Sequence, residues 1–294
     1  INELREYKGG TSLKFRENMA SKAFGLTAYY DSIISNWFYK KLNIKFPETK
    51  TLSGRKFAQL RYGENPHQEG SIYINEEDIG LRKLRGKNLS YNNYNDIFSG
   101  LEILSSFKKP GTVIIKHANP SGVSINGSPL KSFEESYKCD PISAFGGVVA
   151  CNFKINETLA RKMSSIFFEV ILFKGIDKKA LKIFGNKKNL TLVDISKFKI
   201  KKNQQIKYFD NAFLLQDKNH KIIENKKIKF VTKLKPSKKE LNNAEFAFNI
   251  CRFVKSNSIV ISNNFSTIGI GAGQPSRLDS CKIATEKAKK FQPK

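Results

Sequence analysis

The chain has 294 residues, 39% of them hydrophobic and 23 of them Phe, which supplies a packed core and excludes a disordered chain. It carries 52 Lys and Arg against 26 Asp and Glu, a net charge of +26. No run of about 18 apolar residues is present to cross a membrane, and four scattered Cys with three His give no zinc spacing. The excess charge has two readings. One is a polyanion partner such as nucleic acid. The other is a bias toward the A/T-rich codon set, which enriches Lys, Asn, Ile and Phe together, combined with a small anionic substrate. The second is preferred, because the Lys-rich stretch Lys178–Lys238 has no interleaved aromatic platform. The expectation is a cytoplasmic, metal-free protein with ordinary buried thiols at Cys139, Cys151, Cys251 and Cys281.

In chain order, residues 1–11 form a strand-poor lead-in that begins without Met or leader. From Ser12, Phe15, Met19, Ala23, Leu26 and Tyr30 recur at helical spacing and run on to Trp37, predicting one long helix or two broken near Asp31. Arg61-Tyr-Gly-Glu-Asn-Pro-His-Gln68 is a loop, since Gly63, Asn65 and Pro66 continue neither helix nor central strand. It is either a solvated connector or a binding loop in which Arg61 meets a phosphate with its planar fork. Ser71–Ile74 reads as a strand, Leu81–Asn95 as polar and turn-rich, and Asp96–Phe107 as a helix ended by Pro110-Gly111.

Thr112–Ile115 is an apolar β-branched run and predicts a buried strand. It ends in Lys116-His117, with turns expected at Asn119-Pro120 and Ser121-Gly122. A Lys and a His at the carboxyl end of a strand stand where open α/β sheets bind ligands. There His can take a proton near neutral pH and Lys can hold developing negative charge. The alternative is a surface Lys beside a hydrogen-bonded His. Further along, the expectation is helix at Leu130–Tyr137, a Gly-containing loop at Asp140–Gly147, strand at Val148–Cys151 and helix at Asn156–Ser165. Strand at Glu169–Phe173, helix at Lys178–Phe184, and short strands at Leu190–Val193 and Ile228–Val231 follow. Ser237 and Glu240 form a capping box opening a largely buried helix, with Leu241, Ala244, Phe248 and Cys251 on one face and Ala247, Ile250 and Val254 widening it. Ser258–Ser262 and Thr267–Ile270 form a hairpin turning at Asn263-Asn264. Gly269–Arg277 is a Gly-rich turn feeding a helix N-terminus, a natural place for an anion. It is not a dinucleotide fingerprint, since Gln274 occupies the third glycine position. Strands alternating with helices predict an α/β layer fold.

Six segments together resemble one family, the bifunctional AICAR transformylase/IMP cyclohydrolases of purine biosynthesis. They are Leu60–Gln68, Leu89–Asn93, Lys116–Gly122, Ser143–Gly147, Lys255–Ser258 and Gly269–Arg277, in the family's order. The resemblance implies transfer of a formyl group from 10-formyltetrahydrofolate, as co-substrate and without metal, to the 5-amino group of AICAR. The parent protein would also cyclise the product to IMP. It implies cytidine-deaminase-like α/β/α units after the last helices of a methylglyoxal-synthase-like domain. The corresponding parts are residues 1–50, a first transformylase subdomain at 51–235 and the start of a second at 236–294. His117 corresponds to the family's proton acceptor and Lys116 to its transition-state stabiliser. Arg61, Tyr62, Gly146, Asn257 and Arg277 correspond to nucleotide-binding positions, with Asn119 and Glu169 as further substrate contacts; Glu169 stands where some members have Asp. His67 would help to orient the site. The resemblance also implies an intimate homodimer, and an internal fragment lacking the cyclohydrolase residues and the C-terminal segment that completes the substrate sites. Two readings of other classes stay open beside it: a basic nucleic-acid-binding module, and an inactive dimerising fragment.

Overall fold

The computed structural model describes residues 1–75, 78–200, 204–219, 222–223 and 228–292. They divide into two units, residues 1–59 with 71–79, and residues 60–70 with 80–294. Among the described residues no helix is long and apolar enough to cross a membrane.

The first unit holds α1 (Asn2–Glu6), α2 (Leu13–Lys41) and a hairpin of β1 (Arg55–Gln59) and β2 (Ser71–Ile74). The predicted long helix is unbroken at Asp31. Ser12 caps it by accepting from the Phe15 N–H at 3.2 Å, and Lys40 and Lys41 meet the carboxyl end of its dipole. Its periodic apolar residues are not a core face within this unit: Leu26, Tyr30 and Trp37 are 63%, 63% and 53% exposed.

The second unit is a mixed eight-stranded sheet with helices on both faces. Its strands are β3 (Arg82–Arg85), β4 (Thr112–Lys116), β5 (Asn119–Ser124), β6 (Val148–Cys151), β7 (Val170–Phe173), β8 (Thr191–Asp194), β11 (Ile259–Asn263) and β12 (Ser266–Gly271). Their order across the sheet is β11-β12-β5-β4-β6-β7-β8-β3, with β6, β7 and β8 parallel and every other pair antiparallel. The period-two alternation of buried strands divides the core. Val113, Ile115, Val148 and Ala150 face α3 (Tyr91–Leu104) and α8 (Lys238–Cys251). Ile114, Val149, Ile171 and Phe173 face α4 (Pro129–Cys139), α6 (Glu157–Ser164) and α7 (Lys178–Gly185). On that second side α4 and α9 (Arg277–Phe291) press close to the strands. A Cβ at Gly122 would stand 1.8 Å from the Ser136 carbonyl oxygen, and one at Gly271 1.9 Å from that of Ser280. These glycines are where helix backbone meets sheet. Apart from the sheet, β9 (Gln204–Tyr208) pairs with β10 (Phe213–Asp217).

Several sequence expectations are corrected. The turn after β4 is His117-Ala118, both left-handed at φ +51° and +57°, and Asn119–Gly122 lie in β5. Pro120 is tolerated there because the register slips between Ile114 and Ile115, leaving a bulge. Helix α3 begins at Tyr91, ahead of Asp96, because Ser90 and Asn93 make a reciprocal capping box. The turn-rich segment Leu81–Asn95 contains edge strand β3, and the Gly-containing loop contains a short helix, α5 (Pro141–Ala144). Ile228–Val231 is not a strand. In α8 Ile250 is buried as expected, but Phe246 is buried with it, whereas Ala244 and Phe248 are exposed. The last hairpin turns at Asn264-Phe265, one residue later than expected. Cys139 and Cys151 are buried and burial pushes both thiols up to about 12, but Cys251 is half-buried and Cys281 exposed.

Candidate active site

The strand directions bring the singled-out residues to one end of the sheet. Strand β4 runs toward Lys116, and β12, antiparallel to β5 like β4, runs the same way toward Gly271. The loop Ala272–Ser276 and the first turn of α9 therefore stand at the end that carries Lys116. Strands β6, β7 and β8 run oppositely to β4, so they present their amino ends, near Gly147, Glu169 and Leu190, at the same edge. The rule of carboxyl ends thus holds for β3, β4 and β12, and not for β6, β7 and β8. Helix α3 also starts here, since the Arg85 end of β3 lies beside the start of β8.

Lys116 is tethered. Its Nζ donates to the carbonyl oxygens of Phe145 at 3.3 Å and Gly146 at 3.0 Å. Gly146 is left-handed at φ +68°, and a Cβ there would stand 3.1 Å from that ammonium, so glycine is the residue that fits. The adjoining Asp140 accepts from the Ser143 N–H and O–H and pairs with Lys287 at 2.7 Å, which fixes the turn leading to Gly146. Burial pushes the Asp140 carboxyl up, but the Lys287 ammonium and the Ser143 donors outweigh it and hold it below its ordinary range.

His117 is exposed on the left-handed turn. Its backbone is held from two sides. Asn119 Nδ2 donates to the His117 carbonyl at 3.2 Å, and Asp96 Oδ1 accepts from the Ala118 N–H at 2.6 Å. Asp96 is only 8% exposed; burial raises its carboxyl pKa, while the Ala118 and His117 N–H groups and the His117 and Lys116 charges draw it back. Asn119 Oδ1 accepts from the Lys255 N–H at 3.1 Å, which ties the hairpin to the Lys255–Asn257 segment. Asn257 Nδ2 donates to the carbonyls of Gln274 and Pro275, and its own carbonyl accepts from Ser280 Oγ at 2.8 Å. Asn257 therefore braces the Gly-rich loop. Arg277 is exposed as the first residue of α9, beside the Ser276 cap.

A second cluster surrounds Asn93, which is 6% exposed. Its Oδ1 accepts from Arg61 Nη2 at 3.3 Å and its Nδ2 donates to Glu169 Oε2 at 2.8 Å. The Arg61 guanidinium lies 5.3 Å from the Tyr62 ring centre, and the Tyr91 N–H donates to the Tyr62 carbonyl. Arg61, Tyr62, Asn93 and Glu169 line a cavity of about 170 Å³ with Lys87, Phe167, Asn189 and Thr191. Phe167 joins the clusters, because its carbonyl accepts from the Gly146 N–H at 2.8 Å. His67 is exposed on the Arg61–Gln68 loop and does not line this cavity.

The arrangement sets an exposed imidazole beside a fixed ammonium, next to a pocket holding Arg61 and Lys87, a combination able to bind an anion and accept a proton. Sequence reasoning gave no role to Asp96, and none to Asn93 although it ends the segment Leu89–Asn93. Starting the helix at Asp96 hid both; a capping box spelled Ser-x-x-Asn was the available signal. Among the described residues no group of three or more His, Cys, Asp or Glu could hold a metal ion.

Comparison with known proteins gives a family match, "AICARFT/IMPCHase bienzyme", over residues 1–287. The chain is 42% identical to the bifunctional purine biosynthesis protein PurH of Persephonella marina, over 99% of this chain and 58% of that protein. It is 43% identical to PurH of Buchnera aphidicola, over 95% of this chain and 56% of that protein. Against PurH of Bradyrhizobium diazoefficiens it is 38% identical, over 98% of this chain and 56% of the relative. The chain thus spans little more than half the length of these relatives. A match of this extent, over sequence segments that the fold gathers at one sheet edge, settles the kinship: the chain belongs to the AICARFT/IMPCHase bienzyme family.

Proposed function

We propose that this chain carries formyl-transfer machinery, moving a formyl group from 10-formyltetrahydrofolate to the 5-amino group of AICAR in purine biosynthesis. The observation that carries the reading is the tethered Lys116 beside exposed His117, with the Arg61 cavity adjoining. Arg61, with Lys87 and Tyr62, takes the AICAR phosphate, and Arg277 adds charge from the start of α9. His117 accepts a proton from the amine as its nitrogen bonds to the formyl carbon. Lys116, with its ammonium oriented by two carbonyls, holds the oxyanion. The bond to folate N10 then breaks, and that nitrogen takes a proton to leave as tetrahydrofolate. Asn119, Asn257 and Gly146 keep the loops in place, Glu169 contacts the nucleotide through the cavity wall, and His67 orients the rim. A larger cavity of about 550 Å³, lined by Phe145, Phe167, Phe168 and Lys188 among others, suits an aromatic, carboxylate-bearing folate.

In the same proposal the parent protein cyclises the product to IMP, works in the cytoplasm and acts as a homodimer. Residues 1–50 close a methylglyoxal-synthase-like domain. Residues 51–235 and 236–294 belong to cytidine-deaminase-like subdomains. Calorimetric titration of AICAR into the chain at moderate salt tests the reading. Expected is saturable binding that is lost in Arg61→Ala. A folded chain that binds no AICAR, or an Arg61→Ala variant that binds it equally, overturns the assigned pocket.

A further inference from the structure

We propose that Asp96 is the positioning residue of the proton acceptor: its buried carboxylate holds the His117-Ala118 turn in the left-handed conformation that presents the imidazole. This rests on the reading of His117 as the group that takes the proton. Two consecutive left-handed residues bearing Cβ atoms, at φ +51° and +57°, are disfavoured unless the surroundings over-determine them. Asp96 supplies that determination. Its Oδ1 accepts the Ala118 N–H at 2.6 Å, and the same carboxylate faces the His117 N–H.

The carboxylate is not there for its own helix. The amino end of α3 is satisfied by Ser90 and Asn93, and Asp96 sits in the second turn at 8% exposure, where an acid is costly. The ionisable groups it faces are His117 and Lys116. Two tethers therefore set the reacting pair. The Phe145 and Gly146 carbonyls fix the Lys116 side chain, and Asp96 fixes the His117 backbone. Small displacements of such a pair cost rate without costing binding.

The test compares Asp96→Ala and Asp96→Asn with the unaltered chain by amide exchange at Ala118, AICAR affinity, turnover and the imidazole NMR signals. Expected in Asp96→Ala is exchange at Ala118 faster by about tenfold or more. Turnover falls by about tenfold or more, while AICAR affinity stays within about twofold. Asp96→Asn keeps the side-chain shape and one acceptor oxygen, so it retains part of the protection and of the turnover, and it serves if the Ala variant does not fold. The His117 signal, assigned by its loss in His117→Ala, moves in both variants while that of His67 stays. Unchanged exchange with a stationary His117 signal overturns the role of Asp96, as does unchanged turnover in Asp96→Ala. Failure of the unaltered chain to bind AICAR strikes the substrate reading instead, and exchange and the imidazole signal still decide the role of Asp96.

Discussion

The two ends of the sheet carry the same turn, held by different means. At one end His117-Ala118 is left-handed at φ +51° and +57°; at the other Asn264-Phe265 is left-handed at φ +48° and +59°. The far turn puts Asn first, the residue that suits this conformation best after glycine, and its Phe265 ring rests on Phe246 at 6.3 Å. Neutral hydroxyls tie that end together. Val123 N–H donates to Thr267 Oγ1 at 2.9 Å, and the Ser124 and Ser266 hydroxyls meet at 2.8 Å. The near turn uses His and Ala, of which Ala has no preference for this conformation, and the buried Asp96 carboxylate supplies what that residue lacks. At the end proposed to do chemistry a buried carboxylate, Asp96, holds the left-handed turn. At the opposite end the turn follows ordinary residue preferences, and the buried Asp194 serves the edge ladder with Arg82.

The sharpest test of this contrast is activity. His117→Ala should lower turnover by about 10²-fold or more with little change in melting temperature, whereas Asn264→Ala should leave turnover intact in the same assay. Next comes the charge near the active end. Lys287→Ala leaves the Asp140 carboxylate, 3% exposed, without its cation and should cost about 3 kcal/mol in urea unfolding. The pH dependence of unfolding should carry both carboxylates, with opposite signs. Asp140 is held below its ordinary 3.8, so its contribution is present above that value and is lost as pH falls through the depressed one. Asp96 is raised, so its contribution is present below 3.8 and is lost as pH rises through the raised value. Asp140→Asn should remove the first trend and Asp96→Asn the second. At the far end, Thr267→Val leaves the buried Val123 N–H unpaired and should cost about 2 kcal/mol without altering AICAR affinity. The smallest effect belongs to Ala118→Gly. It relieves a left-handed Cβ and should stabilise the chain by about 0.5 kcal/mol by thermal unfolding, a gain that Phe265→Gly should not show because it forfeits ring packing. Equal responses at the two turns would remove the contrast.

The parts legible in the sequence were those fixed locally. Strands β4, β6 and β7 are short apolar runs buried on both faces, and the Ser237–Glu240 capping box opens α8 as expected. Edge strand β3 was not legible: Arg82-Lys-Leu-Arg85 has no apolar alternation, and it is a strand because its backbone pairs with β8, an edge that Arg82 also ties to Asp194 at 2.8 Å. The face of α8 was misjudged because Phe246 and Phe248 sit on different sides and only tertiary packing chooses between them. For the candidate site, Lys116, His117 and Arg61 stood out by type and context. Asp96 and Asn93 did not, since a buried Asp and Asn within a helix announce themselves only through the partners that folding brings.

The strand order also bears on how the chain comes to be folded. Strands β4 to β8 lie between Thr112 and Asp194 and β3 precedes them, so these can pair early, but the β5 flank waits for the remote β12. Ser124 meets Ser266 across 142 residues. Loop closure over such a span is slow, so a growing polypeptide passes through a stage in which the sheet has a bare margin along β5. The β5 margin stays open until β12 has left the ribosome. Over that interval it is a template for pairing with another nascent chain.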